Sequence, residues 1–130
     1  MASLQQTLEQ ERAARAFQDV QEAIKLDEKD RKKYGPLAKK LPSYILTNGL
    51  GQALAFLQAK GKKKPGDPHI VLYQQISEFV GGDKDLLSKV MKADSVEYRR
   101  LTAKTMAYLN WLKRFAEAEA DKLGTEDNGD

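Results

Sequence analysis

The fold prediction starts from residues 98–115, YRRLTAKTMAYLNWLKRF, because they carry a seam of core-type side chains at helical spacing. These side chains recur at intervals of 3, 4, 3, 4 and 3 residues, at Tyr98, Leu101, Thr105, Tyr108, Leu112 and Phe115. A heptad-like seam of this kind is typical of an α-helix that packs in a bundle. We predict a long last helix that begins behind an Asp94 or Ser95 cap and ends near residue 123.

Upstream of this helix, apolar residues at helical spacing predict helices at about residues 4–26, 31–47, 50–59, 68–80 and 84–92. No segment alternates apolar and polar residues with period two, as a half-buried strand would. The predicted fold class is all-α: a single-domain helical bundle of about five to six helices over residues 1–123, with a long first and a long last helix. Residues 124–130 are predicted to be an acidic disordered tail, because they offer almost no apolar surface to bury.

Prolines, glycines and capping residues predict where the helices begin and end. Pro36 is interpreted as a proline in the first position of a helix, and Pro42 as a bend or interruption of the second helix. Gly49-Leu50-Gly51 lacks the preceding strand and the lysine of a phosphate-binding loop, so close approach between helices is its better explanation. The remaining signals are a helix stop at Asn48-Gly49 and helix N-caps at Asp67 and Asp83.

The composition excludes several classes of function. The chain has 130 residues, no cysteine and a single histidine, His69. Disulfides, thiol catalysis and thiolate metal sites are therefore excluded, and a histidine-based zinc site or a Ser-His-Asp triad is disfavoured. His69 is predicted to be a surface or capping residue. The acidic pairs Asp27/Glu28 and Asp83/Asp85 fall in predicted caps and turns, where carboxylates favour helix N-termini. We predict no enzyme, no metal and no cofactor.

Membrane insertion and secretion are not indicated. No run approaches the roughly 20 apolar residues that span a bilayer. Residues 1–6, MASLQQ, lack the charged and apolar regions of a signal segment. We expect a cytoplasmic protein without a membrane partner.

The net charge of +3 hides two oppositely charged regions. Residues 29–64 carry ten basic residues and one acid, a net charge of +9, whereas residues 117–130 carry six acids and one lysine, a net charge of −5. Basic charge with so few opposing acids points to a polyanionic partner, and lysine suits phosphate contact without reading base identity. The candidate contacts are Lys32, Lys33, Lys39, Lys40, Lys60, Lys62, Lys63 and Lys64. The alternative is a solvated helix face followed by a mobile loop.

The last helix carries a second candidate surface. Arg100, Lys104, Trp111 and Arg114 fall within about 80° of one another around the helix, rotated roughly 110° from the core seam. A basic stripe with an exposed aromatic side chain can combine phosphate contact with base stacking. The other interpretation, which we favour for Trp111, is packing at a bundle edge or a subunit interface.

Residues 33–57, KYGPLAKKLPSYILTNGLGQALAFL, have a Tyr-Gly start, a Lys-Leu-Pro centre and an Asn-Gly-Leu-Gly-Gln close followed by Leu-Ala-Phe-Leu. In this pattern the chain resembles the small helical subunit of type III-B CRISPR effector ribonucleoproteins, the Cmr complexes. Residues 8–13, LEQERA, and 97–102, EYRRLT, are similar to the same family. The likeness extends over most of the chain, outside the acidic tail and the lysine-rich loop at residues 60–66.

The resemblance implies an all-α, non-catalytic scaffold subunit that acts in antiviral defence. Members of this family stack head to tail as a filament and line the groove in which target RNA pairs with the CRISPR RNA, while cleavage belongs to another subunit. The expected partners are other subunits of the complex, copies of this chain, target RNA and CRISPR RNA. Carried over by position, Lys39 and Lys40 fall within the signature. Its turn, Asn48, Gly49 and Gly51, is expected to have a structural or inter-subunit role.

Sequence-independent basic contacts suit a subunit whose complex takes its specificity from guide pairing, so RNA contact is predicted for the eight lysines and for Arg100, Lys104 and Arg114. A head-to-tail stack needs two different patches. The acidic residues 117–130, the acidic patch, and the basic region 29–64 are the two candidate patches, and the subunit interface is assigned to Trp111, Glu117, Glu119 and Asp121. The alternative function is a free-standing helical protein-interaction module that binds through Trp111 and the last helix and has no RNA role.

Overall fold

Seven α-helices and one π-helical turn follow one another along residues 3–82 and 85–125, the part of the chain that this computed structural model describes. They are α1 (Leu4–Ile24), α2 (Glu28–Asn48), α3 (Leu50–Gly61), α4 (Pro68–Ile76), the π-helical turn (Ser77–Gly81), α5 (Leu86–Lys92), α6 (Ser95–Ala118) and α7 (Ala120–Leu123). No strand occurs among these residues. The predicted all-α, single-domain bundle is therefore confirmed.

The core forms where α6 packs along α1 and α2. Leu101, Tyr108 and Leu112 of the predicted seam are fully buried, while Tyr98 and Phe115 at its ends are partly buried against the core. Complete burial of such side chains contributes about 1.5–3 kcal/mol each. The helices α3 and α4 pack against each other and against α2. None of the described helices combines the length and the apolar composition that crossing a bilayer requires.

Three predicted helix ends are confirmed by hydrogen bonds or backbone angles. The Asp67 carboxylate accepts from the backbone N–H of His69 at 2.8 Å at the start of α4, and Asp94 caps α6 in the same manner. Gly49, with φ 90° and ψ 160°, ends α2 in a backbone conformation that side-chain-bearing residues rarely adopt. The chain reverses there, and α3 begins at the next residue.

The interpretation of Pro36 as a first-position proline is wrong, and α2 is not interrupted at Pro42. α2 begins at Glu28, about three residues earlier than predicted, and runs through both prolines to Asn48. Each proline lacks the amide hydrogen that an interior helical position donates. Leu37 and Leu41 are almost completely buried within the same helix. We attribute the continuity of α2 to this burial, which offsets the lost hydrogen bonds.

The fourth and fifth predicted helices have different boundaries in the structure. α4 ends at Ile76 and continues as the π-helical turn, which is capped by Gly82 with φ 73°. α5 begins at Leu86, behind Asp85 as its cap. The predicted cap, Asp83, lies outside the described residues.

The predicted last helix is divided in two. Glu119, with φ −101° and ψ 21°, leaves the helical conformation, so that α6 ends at Ala118 and the short α7 follows. This break gives one helix more than the highest predicted number.

The first residues of the predicted acidic tail pack against α2. The backbone N–H of Thr125 donates to the carbonyl of Ala120 at 3.0 Å. A Cβ atom added at Gly35 of α2 would lie 2.7 Å from the Thr125 hydroxyl oxygen, so the two segments are in close contact. Residues 126–130 lie outside the described residues, and their disorder stays a prediction.

Candidate nucleic-acid interface

One side of α2 carries a row of exposed lysines. Lys29, Lys33 and Lys40 recur at helical spacing together with Pro36, and all four are exposed. The opposite side of the helix enters the core, since Tyr34 is completely buried. The amphipathic pattern of α2 therefore directs the lysine row away from the bundle.

This row forms one wall of a groove between α2, α3 and the start of α4. After the Gly49 turn α3 returns along α2, so that the ring of Phe56 stacks on Tyr44 with 4.8 Å between the ring centroids. His69 of α4 meets Phe56 edge to face at 5.9 Å. The space between these elements is about 500 Å³, and we call it the lysine groove. Its lining consists of Lys32, Lys33, Pro36, Leu37, Lys40, Phe56, Lys60 and His69.

The lining of the lysine groove has an excess of positive charge. Four lysines and no carboxylate line it. Lys32 pairs with Glu28 on the preceding helical turn at 3.0 Å, but both side chains are more than half exposed and the pair is weak in water. Within the described residues, Lys33, Lys40 and Lys60 form no ion pair. Such a concave surface attracts a polyanion.

A second depression, which shares Lys33 with the lysine groove, has mixed charge. Its lining includes Lys29 and Lys64 but also Asp30 and Asp67. Partial burial acts to raise the pKa of Asp67, but hydrogen bonds from His69 outweigh it, and the pKa lies below its ordinary value. Asp67 is therefore ionised at neutral pH, and this depression is the weaker anion site of the two.

The structure brings together four of the eight lysines that the sequence analysis selected. Lys32, Lys33, Lys40 and Lys60 line the lysine groove, and Lys64 lines the neighbouring depression. The other three, which are Lys39, Lys62 and Lys63, line neither. Lys62 and Lys63 are exposed and have left-handed backbone angles, with φ 50° and 59°. RNA contact stays a prediction for all eight.

Two groove residues were missed as members of a site. Phe56 was not selected as a site residue, and His69 was predicted to be a surface or capping residue. His69 does contact the cap of α4, since its Nδ1 lies 2.8 Å from the Asp67 carboxylate. Its ring also lines the lysine groove. The sequence spacing does not predict that Phe56 and His69 line one groove, because they come together only when α2, α3 and α4 pack.

The basic residues of the last-helix stripe have partners within the chain. These partners are Glu97 for Arg100 at 2.6 Å, the Phe79 ring for Lys104 at 5.6 Å from the centroid, and Glu117 for Arg114 at 3.5 Å. The stripe is therefore partly neutralised by its own chain, unlike the lysine groove. Its contact with RNA stays a prediction.

Trp111 packs at the edge of the bundle, between α6 and α1. Its indole Nε1 donates to the Glu9 carboxylate at 2.9 Å, and its ring stacks on Phe115 with 5.8 Å between the centroids. Hydrogen bonds from Trp111 and Arg12 lower the pKa of Glu9. The contacts agree with the favoured packing interpretation, and a role in a subunit interface stays a prediction.

The predicted acidic patch lies where α6 passes into α7. Glu117 pairs with Arg114 at 3.5 Å and Glu119 with Lys122 at 3.4 Å, while Asp121 is exposed. The patch therefore has local counterions for two of its three carboxylates. Its role in subunit contact stays a prediction.

A buried polar cluster at the centre of the bundle was also missed. The Asp19 carboxylate, only 5% exposed, accepts hydrogen bonds from Tyr108 of α6 and from Arg15 of its own helix. Arg15 also pairs with Glu78 of the π-helical turn at 2.9 Å. Burial raises the pKa of Asp19, although the bonds from Tyr108 and Arg15 oppose this. The sequence does give one sign of this cluster, because Asp19 is a carboxylate that falls beside Ala16 on the apolar face of α1.

Among residues 3–82 and 85–125, no three His, Asp or Glu side chains are grouped closely enough to hold a metal ion. The lysine groove is lined by four lysines and no carboxylate, and the Asp19 cluster joins α1 to α6.

Comparisons with known proteins agree on one family. The sequence model of the family described as "CRISPR-associated protein (Cas_Cmr5)" matches residues 8–119. The CRISPR system Cmr subunit Cmr5 of Thermus thermophilus is 34% identical over 108 residues, which cover 82% of this chain and 90% of that protein. The crystal structure of a CRISPR-associated Cmr5 family protein from the same organism aligns with a TM-score of 0.76 and 32% identity, covering 91% of this chain and 97% of the other. The resemblance seen in the sequence is confirmed, and the chain belongs to the CRISPR-associated Cmr5 family.

Proposed function

We propose that the chain is a non-catalytic scaffold subunit of a type III-B Cmr ribonucleoprotein and contacts RNA through the lysine groove. Membership of the Cmr5 family supports the place in a Cmr assembly. One observation carries the RNA contact: four lysines from α2 and α3 line a single groove that contains no carboxylate. In this proposal the protein positions RNA during antiviral defence and leaves the chemistry to other subunits.

The groove suits an RNA strand whose sequence varies from target to target. Lysine ammonium groups contact phosphates as point charges, and such contacts carry no sequence information. Each neutralised phosphate releases counterions, so the affinity is expected to fall steeply with salt. Guide pairing supplies the specificity in complexes of this kind.

The most buried carboxylate supports a non-catalytic role. Among the described residues, Asp19 is the one buried acidic side chain. It is enclosed by Tyr108 and Arg15 and does not line the lysine groove. We assign this cluster to holding α1 and α6 together.

The proposal is tested by reversing the charge of the groove in the full-length chain. In the double variant Lys33→Glu/Lys40→Glu, RNA affinity is expected to fall by about tenfold or more, because two phosphate contacts become repulsive. The matched control, Lys92→Glu/Arg99→Glu, makes the same charge change at two exposed positions that do not line the groove. Affinity is measured by fluorescence anisotropy over a series of salt concentrations.

Two results would contradict the proposal. Equal losses in the two double variants would show that net charge alone matters. A salt-insensitive complex with a protein partner that forms without RNA would favour the interaction-module alternative.

We propose further that copies of the chain stack head to tail, with the acidic patch of one copy on the part of the basic region 29–64 that lies outside the lysine groove of the next. A heterologous contact of this type generates a filament when its rotation does not close. The triple variant Glu117→Lys/Glu119→Lys/Asp121→Lys is expected to reduce self-association in sedimentation velocity. A control triple variant, Glu11→Lys/Glu22→Lys/Asp27→Lys, changes three exposed acids elsewhere. Unchanged assembly of the first variant would contradict the stacking.

A further inference from the structure

We propose that the lysine groove binds an unpaired nucleotide of an RNA strand, with the base against the apolar floor of the groove and the phosphates on its lysines. This inference rests on the proposed function and makes it more specific, because it distinguishes single-stranded RNA from an RNA duplex as the ligand of the groove.

The lining of the groove is divided between charge and apolar surface. Lys33, Lys40 and Lys60 provide ammonium groups, whereas Pro36 and Phe56 provide apolar surface in the same concavity. A surface that contacts only phosphates needs no apolar floor. An unpaired nucleotide presents both an anionic phosphate and a flat apolar base, so its chemistry matches both parts of the lining.

The volume of the groove is large enough for a nucleotide. About 500 Å³ lies within the range of roughly 300–1,000 Å³ that is typical of small-molecule sites. A duplex keeps its bases paired and stacked, and therefore offers the groove phosphates and sugars but no base face. The floor would remain unused in a complex with duplex RNA.

The aromatic part of the floor is held in place by its neighbours. Tyr44 stacks on Phe56 at 4.8 Å, and His69 meets the same ring at 5.9 Å. Rings that are fixed in advance lose little conformational entropy when a base packs against them. The Phe56 ring is therefore preorganised, and the base packs against the part of it that Tyr44 and His69 leave uncovered.

His69 adds one polar group beside this floor. Its Nδ1 lies 2.8 Å from the Asp67 carboxylate, which favours the tautomer with the proton on Nδ1. Within the described residues, Nε2 has no hydrogen-bond partner. In this tautomer Nε2 is an acceptor, available to an exocyclic amine or a 2′-hydroxyl group of the ligand.

The test compares three RNA probes on the full-length wild-type chain at equal salt. The probes are a single-stranded RNA, an abasic strand with the same number of phosphates, and a duplex of the same length. The base-bearing strand is expected to bind about tenfold more tightly than the abasic strand, since stacking of one base commonly accounts for such a factor. Both strands are expected to show the same salt dependence, because their phosphates are equal in number.

Two matched variants test whether the preference for the base-bearing strand depends on the Phe56 ring. Phe56→Leu keeps an apolar side chain but removes the aromatic ring, and it is expected to lose most of the preference for the base-bearing strand. Phe17→Leu makes the same change at a half-exposed phenylalanine of α1 outside the groove, and it is expected to keep the preference. Thermal unfolding of each variant shows whether it is folded.

The outcomes separate this inference from the proposed function. Equal, salt-dependent binding of the base-bearing and abasic strands would overturn the nucleotide site and leave RNA contact by the lysines intact. Tighter binding of the duplex than of the base-bearing strand would overturn the inference as well. If none of the three probes binds, both proposals are contradicted. If Phe56→Leu fails to fold, the comparison of probes on the wild-type chain decides alone.

Discussion

The indole nitrogen of Trp111 donates a hydrogen bond of 2.9 Å to the carboxylate of Glu9 and so joins α6 to the second turn of α1. Beside it, Phe17 of α1 meets Phe115 of α6 edge to face, with 5.5 Å between the ring centroids. These contacts lie at the edge of the core. They extend the pairing of α1 with α6 towards the N-terminal end of α1, where Leu4 is exposed.

Replacing the indole donor is expected to raise the pKa of Glu9. Trp111→Phe keeps an aromatic ring against Phe115 but removes the hydrogen bond that contributes most to the lowered pKa of Glu9. A lowered pKa stabilises the fold above the ordinary Glu value, and this contribution is lost as pH falls through the folded-state pKa. The stability difference between wild type and Trp111→Phe is therefore expected to shrink in acid.

The measurement is a titration of the side-chain carboxyl resonances by NMR in wild type and Trp111→Phe. Glu97 is the internal control, because its pKa is lowered by Arg100 and not by Trp111. An unchanged Glu9 pKa in the variant would show that the hydrogen bond is absent in solution.

Removing the Tyr108 hydroxyl is expected to destabilise the fold by about 1–3 kcal/mol, because the buried Asp19 carboxylate loses a hydrogen bond. The variant is Tyr108→Phe, which keeps the ring that stacks on Phe79 at 5.1 Å. The pKa of Asp19, already raised by burial, is expected to rise further. Urea unfolding of wild type and variant measures the free-energy difference.

The sign of the pH dependence follows from the raised pKa of Asp19. The unfolded chain releases this proton near the ordinary Asp value of about 3.9, while the folded chain still holds it. The unfolding free energy of wild type, taken relative to Asp19→Asn, is therefore expected to fall as pH rises from about 4 towards the folded-state pKa. If the unfolding free energy of wild type relative to Asp19→Asn stays constant or grows with pH, the raised pKa of Asp19 is contradicted.

The helices of the fold were predictable where the local pattern and the tertiary packing agree. The seam from Tyr98 to Phe115 is spaced for a helix and is buried as one. Pro36 was misread as a first-position proline and Pro42 as a possible interruption, because local propensity omits the burial that holds α2 together. Asp19 was overlooked because a carboxylate on an apolar face becomes meaningful only with its partner, which is 89 residues away.

The candidate site was predictable in its charge and not in its shape. The excess of lysines between residues 29 and 64 indicated an anionic partner. The selection of Lys32, Lys33, Lys40 and Lys60 from the larger set depends on the return of α3 along α2 after Gly49. The same packing brings Phe56 and His69 to the groove. Residues from three helices come together in the groove, and their spacing in the sequence does not predict this contact.

The crossing of α3 and α4 is expected to tolerate no side chain at Gly61. A Cβ atom added there would lie 2.4 Å from Cγ1 and 2.7 Å from Cδ1 of Ile70, which is buried. Gly61→Ala is therefore expected to cost about 1–3 kcal/mol of unfolding free energy. Gly66→Ala is the matched control, since nothing lies within 4 Å of an added Cβ atom there, and its effect is expected to stay within about 0.5 kcal/mol. Equal stability of the two variants would place α3 and α4 farther apart than in this fold.

The direct test of RNA contact is a footprint of lysine reactivity on the full-length chain. Acetylation of each lysine is quantified by mass spectrometry with and without a single-stranded RNA. Protection of Lys33, Lys40 and Lys60 is expected in the presence of RNA, with Lys25 and Lys92 reacting as before. Protection spread evenly over all exposed lysines, or absent from those three, would contradict the lysine groove as the RNA-binding surface.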